Sequence, residues 1–254
     1  MVQLSRTPSS TPGPRPAAGD PVSTLAQRIG ESGAGPLVTW YRGPDRVELS
    51  TRTVGTWVAK TVHLMSEEGV GRGDLVHLQV LSSHPLHWVS CCWLLATWWS
   101  GATPSVLPTD SSRAALAVAG PDATGCDPRV PLVQCSLEPL AGPCQDPVPG
   151  AIDYCEALAM PDEMPGATPA PLAQTWLADV DPMNGRSLAG VPPVAGPLLV
   201  ATGDPGATPA HLAVLLAGCL RGGGSLVLVE STGSGTTIEQ IARQERASRD
   251  GLTR

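Results

Sequence analysis

From Val47 to Pro108 the hydrophobic and polar positions follow one unbroken pattern. Val54, Trp57, Val58, Thr61, Val62 and Met65 recur at helical spacing on one face, and Gly69 closes the run, which predicts an amphipathic helix over Thr53–Glu68. A Gly-Arg-Gly-Asp turn ending at Asp74 leads into the apolar segment Leu75–Leu81, which reads as a strand. Pro85–Ser100 is apolar almost all round, the signature of a helix buried on every side. Gly101 ends it, and Thr103–Leu107 supplies another strand.

The flanking segments continue the alternation. A short helix is predicted over Val22–Ile29, then strands Leu37–Tyr41 and Val47–Ser50 on either side of a Gly43-Pro44-Asp45 turn. Past Asp110 the pattern predicts a helix over Ser111–Ala119 and a strand over Val130–Cys135. Residues 138–196 are dense in proline and glycine and predict an irregular insert, with one helical piece over Leu172–Asp179. Periodicity returns with strand Leu198–Ala201, helix Thr208–Leu220 closed by Gly222–Gly224, strand Ser225–Glu230, and helix Thr236–Ser248 anchored by Ile238 and Ile241. Strands alternating with helices predict a three-layer α/β fold with a mostly parallel sheet. The expected organisation is a disordered Pro/Ser-rich tail over residues 1–21 and a single domain over 22–254.

Charge and composition narrow the function classes. With a net charge of −7 and no run of basic residues, the chain lacks the clustered cations that replace counterions on nucleic acid, which excludes that partner. Arginine outnumbers lysine so far that Lys60 is the one lysine, and with abundant alanine, glycine and proline this points to a GC-rich genome such as an actinobacterium's. The N-terminal segment has no apolar core, and the apolar helix, at roughly 13–16 residues, is short of the ~20 needed to span a bilayer. Neither signal peptide nor membrane span is expected. Seven cysteines without a C-x-x-C pair or secretion signal fit reduced thiols and a cytoplasmic location. His84, His87, Cys91 and Cys92 have helical spacing, but four ligands on one helix cannot converge on a tetrahedral ion, so no metal site is expected.

Leu49-Ser50, the first long helix, and Glu68-Gly-Val-Gly-Arg-Gly-Asp74 before a strand resemble the opening of adenylate-forming enzymes, the superfamily of acyl-CoA synthetases, peptide-synthetase adenylation domains and luciferases. The segment Trp93 to Ala102 followed by Pro104 to Pro108 is similar to that superfamily's A-x-x-x-G-A…P-L passage from helix to strand. LAVLLAGCLRGGGSLVLVE and IARQERAS resemble a later helix, a GG-x-x-V-L strand and a following helix. The resemblance covers roughly residues 37–120 and 197–248, and fits a short actinobacterial family of uncharacterised proteins distantly related to AMP-binding enzymes. It implies the fold of a truncated N-terminal region.

That resemblance also implies what to look for. The superfamily's phosphate loop is rich in Ser, Thr and Gly and ends in Pro-Lys. Ser231-Thr232-Gly233-Ser234-Gly235-Thr236-Thr237 has the composition and lies between a strand and a helix, but has no lysine. Thr202-Gly203-Asp204 matches a Thr-Gly-Asp whose carboxylate binds ribose, yet it precedes the helix and GG strand where it should follow them, so Gly203-Asp204-Pro205 reads as a turn. These residues, with Asp204, are the candidate nucleotide contacts. The Thr-Glu pair that helps hold Mg2+ is absent, and the length leaves no room for a mobile C-terminal domain with its lysine. Lys60, inside the first long helix, reads as a solvated surface group. The expectation is therefore a catalytically degenerate protein with no catalytic residues and no resident cofactor, ATP, AMP and Mg2+ being what the resemblance would bring. It would act by binding a small acyl or nucleotide-like ligand or a protein partner. The alternatives are a nucleotide-binding enzyme needing a second subunit and a structural subunit docking through the helix that carries Trp88, Trp93, Trp98 and Trp99.

Overall fold

The computed structural model describes residues 20–166, 175–178, 183–184 and 190–249. Most of the expected tail, residues 1–19, lies outside this set; Asp20 and Pro21 belong to the first helix instead. Asp20 caps helix α1 (Pro21–Ser32) by accepting the Ser23 N–H at 2.9 Å, and Pro21 occupies the first helical position, where its missing N–H costs nothing.

The strands divide between two five-stranded sheets. In the first, β12 (Ser248–Arg249), β10 (Pro197–Ala201), β11 (Ser225–Thr232) and β1 (Pro36–Gly43) run parallel, and β2 (Asp45–Ser50) folds back antiparallel on β1. Gly43, at φ +59°, makes the tight turn between β1 and β2. In the second sheet β4 (Thr103–Ser105), β3 (Leu75–Leu78), β5 (Leu116–Ala119), β6 (Leu132–Gln134) and β7 (Ile152–Asp153) are parallel throughout. A small ribbon, β8 (Thr175–Leu177) with β9 (Met183–Asn184), joins β4 through a bridge between Ser105 and Ala178.

Helix α4 (Trp88–Trp99) sits between the sheets and touches strands of both, with all of its residues buried. Its sequence has no polar face to offer water, so an interior position is the one that satisfies it. Helix α2 (Thr51–Glu67) is capped by Ser50, whose Oγ accepts the Thr53 N–H at 3.1 Å, and lays the face with Val54, Val58, Val62 and Met65 against α4 and the first sheet. Helix α5 (Pro209–Gly222) carries the chain from β10 to β11 on the same side. Alternation along the central strands then does the sorting. Leu198, Val200, Leu226 and Leu228 join the large core, while Leu199, Ala201, Val227 and Val229 face outward beneath the short helix α6 (Ile238–Gln244).

Four sequence expectations change. Ser111–Ala119 is not a helix: a 3-10 turn (Pro108–Arg113) precedes β5, whose four residues are buried between β3 and β6, and pairing on both edges overrides the alanine-rich helix propensity. The expected strand Leu75–Leu81 stops at Leu78 and turns into the short helix α3 (Gln79–Ser83). Of the expected helical piece Leu172–Asp179, the described residues Thr175–Leu177 form a strand paired with β9, and Trp176 packs edge-on against Trp98 at 5.4 Å. The last helix ends at Gln244 and the chain finishes as β12. One partner expectation also changes: the Trp-rich helix, buried on every side, presents no docking face.

Because α4 joins both sheets, truncation at its centre should cost as much as any core change. Trp98→Ala is expected to lower stability by about 3–5 kcal/mol, read from urea unfolding against the native chain. A loss below about 1 kcal/mol would mean that the helix is not the shared core.

Candidate functional site

Ligands of parallel α/β sheets bind beyond the carboxyl ends of the strands, so the site is sought there. At that edge of the first sheet, β10 ends at Ala201 and runs through a loop to α5, and β11 passes Glu230 before ending at Thr232. Opposite them, the chain leaving β3 passes through α3 and turns at residues 84–87 into α4. A cleft of about 330 Å3 opens between the two. Ser83, His84, Pro85 and Leu86 line one wall, and Thr202, Gly203, Ala207 and Glu230 the other.

The polar groups of the cleft are set by burial. Burial pushes the Glu230 carboxyl up from its ordinary range, partly offset by the Trp40 indole N–H and the Arg42 guanidinium. His84 is lowered by burial, Asp122 opposing and Arg42 reinforcing, and its Nδ1 lies 2.8 Å from Ser83 Oγ. Arg42, over the Trp40 ring at 5.1 Å, is thus the cation whose field reaches both groups. Behind the wall, His87 is fully buried with its ring edge-on to Trp40 at 4.6 Å. Its Nδ1 accepts the Val89 N–H at 3.2 Å and so caps α4. Burial, then Arg42 and His84, hold its pKa down to about 3, against the Leu137 carbonyl.

The sequence candidates fall on the same sheet edge, spent largely on local structure. Ser231 and Thr232 end β11, where the Ser231 Oγ accepts the Gly43 N–H at 3.0 Å. Gly233 lies so close to β1 that a Cβ would meet the Gly43 carbonyl at 3.0 Å. Ser234 and Gly235, the latter at φ +78°, make an exposed turn closed by the Thr236 N–H on the Gly233 carbonyl at 3.0 Å. Thr237 and Gln240 form a capping box for α6. None of the seven lines the cleft. The Asp204 carboxylate accepts the Ala201 N–H at 2.9 Å and pairs with Arg249 at 2.7 Å, so it closes its own turn.

Sequence reasoning did not place Ser83–Leu86, Ala207 or Glu230 at a site, and it read the start of the loop after β10 only as a turn. That loop reads Thr202-Gly-Asp-Pro-Gly-Ala-Thr-Pro-Ala210, follows a parallel strand, and enters a long helix capped by Thr208 with Pro209 at its start. Its Thr/Gly content and closing proline were the available signal. Thr202 bridges the two strand ends, its Oγ1 donating to the Glu230 carbonyl at 2.8 Å. Lys60 is not a solvated surface group: its Nζ donates to the Leu158 and Met160 carbonyls at 3.0 and 2.6 Å and pairs with Asp162 at 2.7 Å, none of them in the cleft. Among the described residues no group of three or more His, Cys, Asp or Glu is arranged to hold a metal ion. Cys91 and Cys92 are buried thiols pushed up by desolvation, and His87 is occupied as a cap. No described helix is long and apolar enough to cross a membrane.

Solved structures carry the same architecture. The chain superposes on a Brucella canis acyl-CoA synthetase with a TM-score of 0.64 at 17% identity, covering 93% of this chain and 48% of that one. An acetoacetyl-CoA synthetase from Streptomyces lividans gives 0.67 at 15% identity, with 90% and 41% covered. The N-terminal domain of FACL13 from Mycobacterium tuberculosis gives 0.63 at 15% identity, with 90% and 61% covered. The fold is that of the N-terminal region of adenylate-forming enzymes. In sequence, a Mycobacterium tuberculosis protein described by a family number and no activity is 30% identical over 146 residues, 52% of this chain and 58% of that one. The chain therefore spans less than two thirds of these relatives. No family model matches it.

In this adenylate-forming fold the buried His87 is a pH probe for the wall behind the cleft. Its folded pKa, near 3, lies below the unfolded value near 6.5, so the unfolded chain takes the proton first. Its contribution to stability is complete above pH 6.5 and is lost as pH falls toward 3, by up to about 1.4 kcal/mol per pH unit. His87→Asn keeps a capping side chain and should flatten the stability slope between pH 6.5 and 5 by about one proton. Equal slopes for both proteins in denaturant titrations would refute a neutral His87.

Proposed function

We propose that this chain is a catalytically degenerate adenylate-forming-like domain that acts by binding a small acyl or nucleotide-like ligand in the cleft between β10, β11 and the α3–α4 corner. One observation carries the reading. The loop with strand before it, helix after it and the cleft beside it ends in Pro209-Ala210, where the superfamily's loop ends in Pro-Lys. The one lysine in the chain is bound elsewhere, by Asp162 and two carbonyls. Asp204 adds a negative charge to that loop, and Arg249, the cation beside it, is held by Asp204 and Glu239. Phosphoryl chemistry relies on positive charge set where negative charge develops, and this loop supplies none to spare.

What the cleft retains suits binding. Pro85, Leu86 and Ala207 give an apolar wall for an acyl group, while Thr202, Ser83 and Glu230 offer polar contacts for its head.

The test is thermal unfolding with AMP, ATP/Mg2+ and a non-hydrolysable acyl-adenylate analogue, together with ATP–pyrophosphate exchange. A cleft ligand at a hundred times its Kd adds about 2.7 kcal/mol, or roughly 5–10 °C in Tm, and Ala207→Trp should abolish the shift. No exchange is expected from the native chain. Ala210→Lys should tighten ATP by about tenfold through a charge-assisted contact. Exchange activity in the native chain, or submillimolar ATP binding lost in Thr232→Val or Thr236→Val, would overturn the proposal in favour of a nucleotide-using enzyme.

A further inference from the structure

At the opposite edge of the first sheet, where β1, β10 and β11 begin, lies a wider cleft of about 590 Å3. It is formed by the end of α1, the start of α2, and the turns entering β10 and β11. Arg28 forms part of its wall and is 8% exposed. Its guanidinium donates to the carbonyls of Cys219 at 3.0 Å, Pro36 at 3.3 Å and Gly223 at 3.4 Å. Those bonds use three of five N–H donors, and none ends on a carboxylate.

The neighbouring charges do not neutralise it. Arg46, Arg113, Arg129 and Arg249 each have an acid within ion-pair distance. Among the described residues no ion pair joins an acid to Arg28 or to Arg52, which lines the same cleft beside Gly33. Glu31, the one acid in the wall, accepts from Gln27 at 2.9 Å. A buried guanidinium with spare donors and a second arginine beside it are costly to leave without a counter-ion and ready to take one. Carbonyl dipoles from the end of α5 ease that cost without cancelling a full charge. The wall is also open to a ligand: at Gly30 an added Cβ would meet nothing within 4 Å.

We infer that this cleft is an anion-binding site, in which Arg28 and Arg52 hold the phosphate or carboxylate group of a small molecule. It is separate from the cleft at the carboxyl edge and stands whether or not that one binds an acyl ligand. Arg28 supplies a fixed, pre-oriented fork, and Arg52, exposed on the first turn of α2, closes over the anion from solvent.

The experiment titrates the full chain with inorganic phosphate and, separately, acetate, following backbone amides by NMR. Shifts in Gly30, Gly33, Gly35 and Gly223 are expected, saturating in the millimolar range or below. Response to phosphate alone assigns a phosphoryl group, and equal response to acetate assigns a carboxylate; either supports the site. Arg52→Gln, at an exposed position, should weaken binding by about tenfold, whereas Arg243→Gln on α6 should leave it unchanged. A second pair of variants avoids disturbing Arg28. Gly30→Asp places a carboxylate in the cleft and should abolish phosphate binding, with a higher Tm than Gly30→Asn in phosphate-free buffer. A helix end by itself favours the reverse order, since acid is unfavourable near a C-terminus. No response to either anion at about 10 mM, weaker than any Kd expected of a built site, would overturn the inference. So would binding that Arg52→Gln leaves intact.

Discussion

The rest of the structure depends on the complete burial of α4. A helix carrying Trp88, Trp93, Trp98 and Trp99 among leucines and cysteines has no face for water, and one sheet covers only one side of it. Two sheets are therefore required, and the remaining helices fill the space around it. Each of the four indoles carries an N–H, and three of them reach a backbone carbonyl. Trp88 donates to the Pro139 carbonyl at 3.1 Å, Trp98 to Trp176 at 2.5 Å and Trp99 to Pro165 at 2.9 Å. Each acceptor lies in the proline-rich middle of the chain. The helix thus fastens a segment that has little regular structure of its own.

The cleft is a consequence of that arrangement. His87 caps α4, and its burial against Trp40 of β1 fixes where the α3–α4 corner stands relative to the first sheet. With that corner set opposite the ends of β10 and β11, the two walls face each other. The functional groups need no special construction beyond this. Thr202 directly follows β10 and Glu230 lies near the end of the parallel strand β11, while Ser83 and His84 are the residues on which a short helix stops. A wall built from element ends is free to change its chemistry while the core stays fixed.

How much was legible in the sequence follows from the same division. Elements whose own pattern matches their burial were readable: α2 by its stripe, α4 by lacking a polar face, and β10, α5 and β11 by strand–helix alternation. Where long-range partners decide, local pattern misled. Leu116–Ala119 is helix-prone until β3 and β6 pair with it, and Trp176 lies in a strand paired with β9, where its carbonyl accepts from Trp98. That the strands belong to two sheets could not be read at all, because strand order across a core leaves no periodic trace. At the site, composition drew attention to Ser231–Thr237, whose hydroxyls go largely to turn and cap, and away from Thr202–Ala210, which lines the cleft with a plainer sequence.

Charge supplies the last step. With a net charge of −7 the chain has few cations to place, and where each is placed carries information. Lys60 ties α2 to the segment after β7, Arg46 joins Glu48 and Glu245 across the outer face, and Arg249 closes the Asp204 turn; these are structural fastenings. At the carboxyl edge the remaining field comes from Arg42, near the Glu230 carboxyl whose pKa burial raises. One cation can hold a singly charged head group, but a triphosphate and the charge that develops when it is broken require several cations or a metal. The proposed binding role rests on the balance of charge at that edge more than on the loss of any one motif.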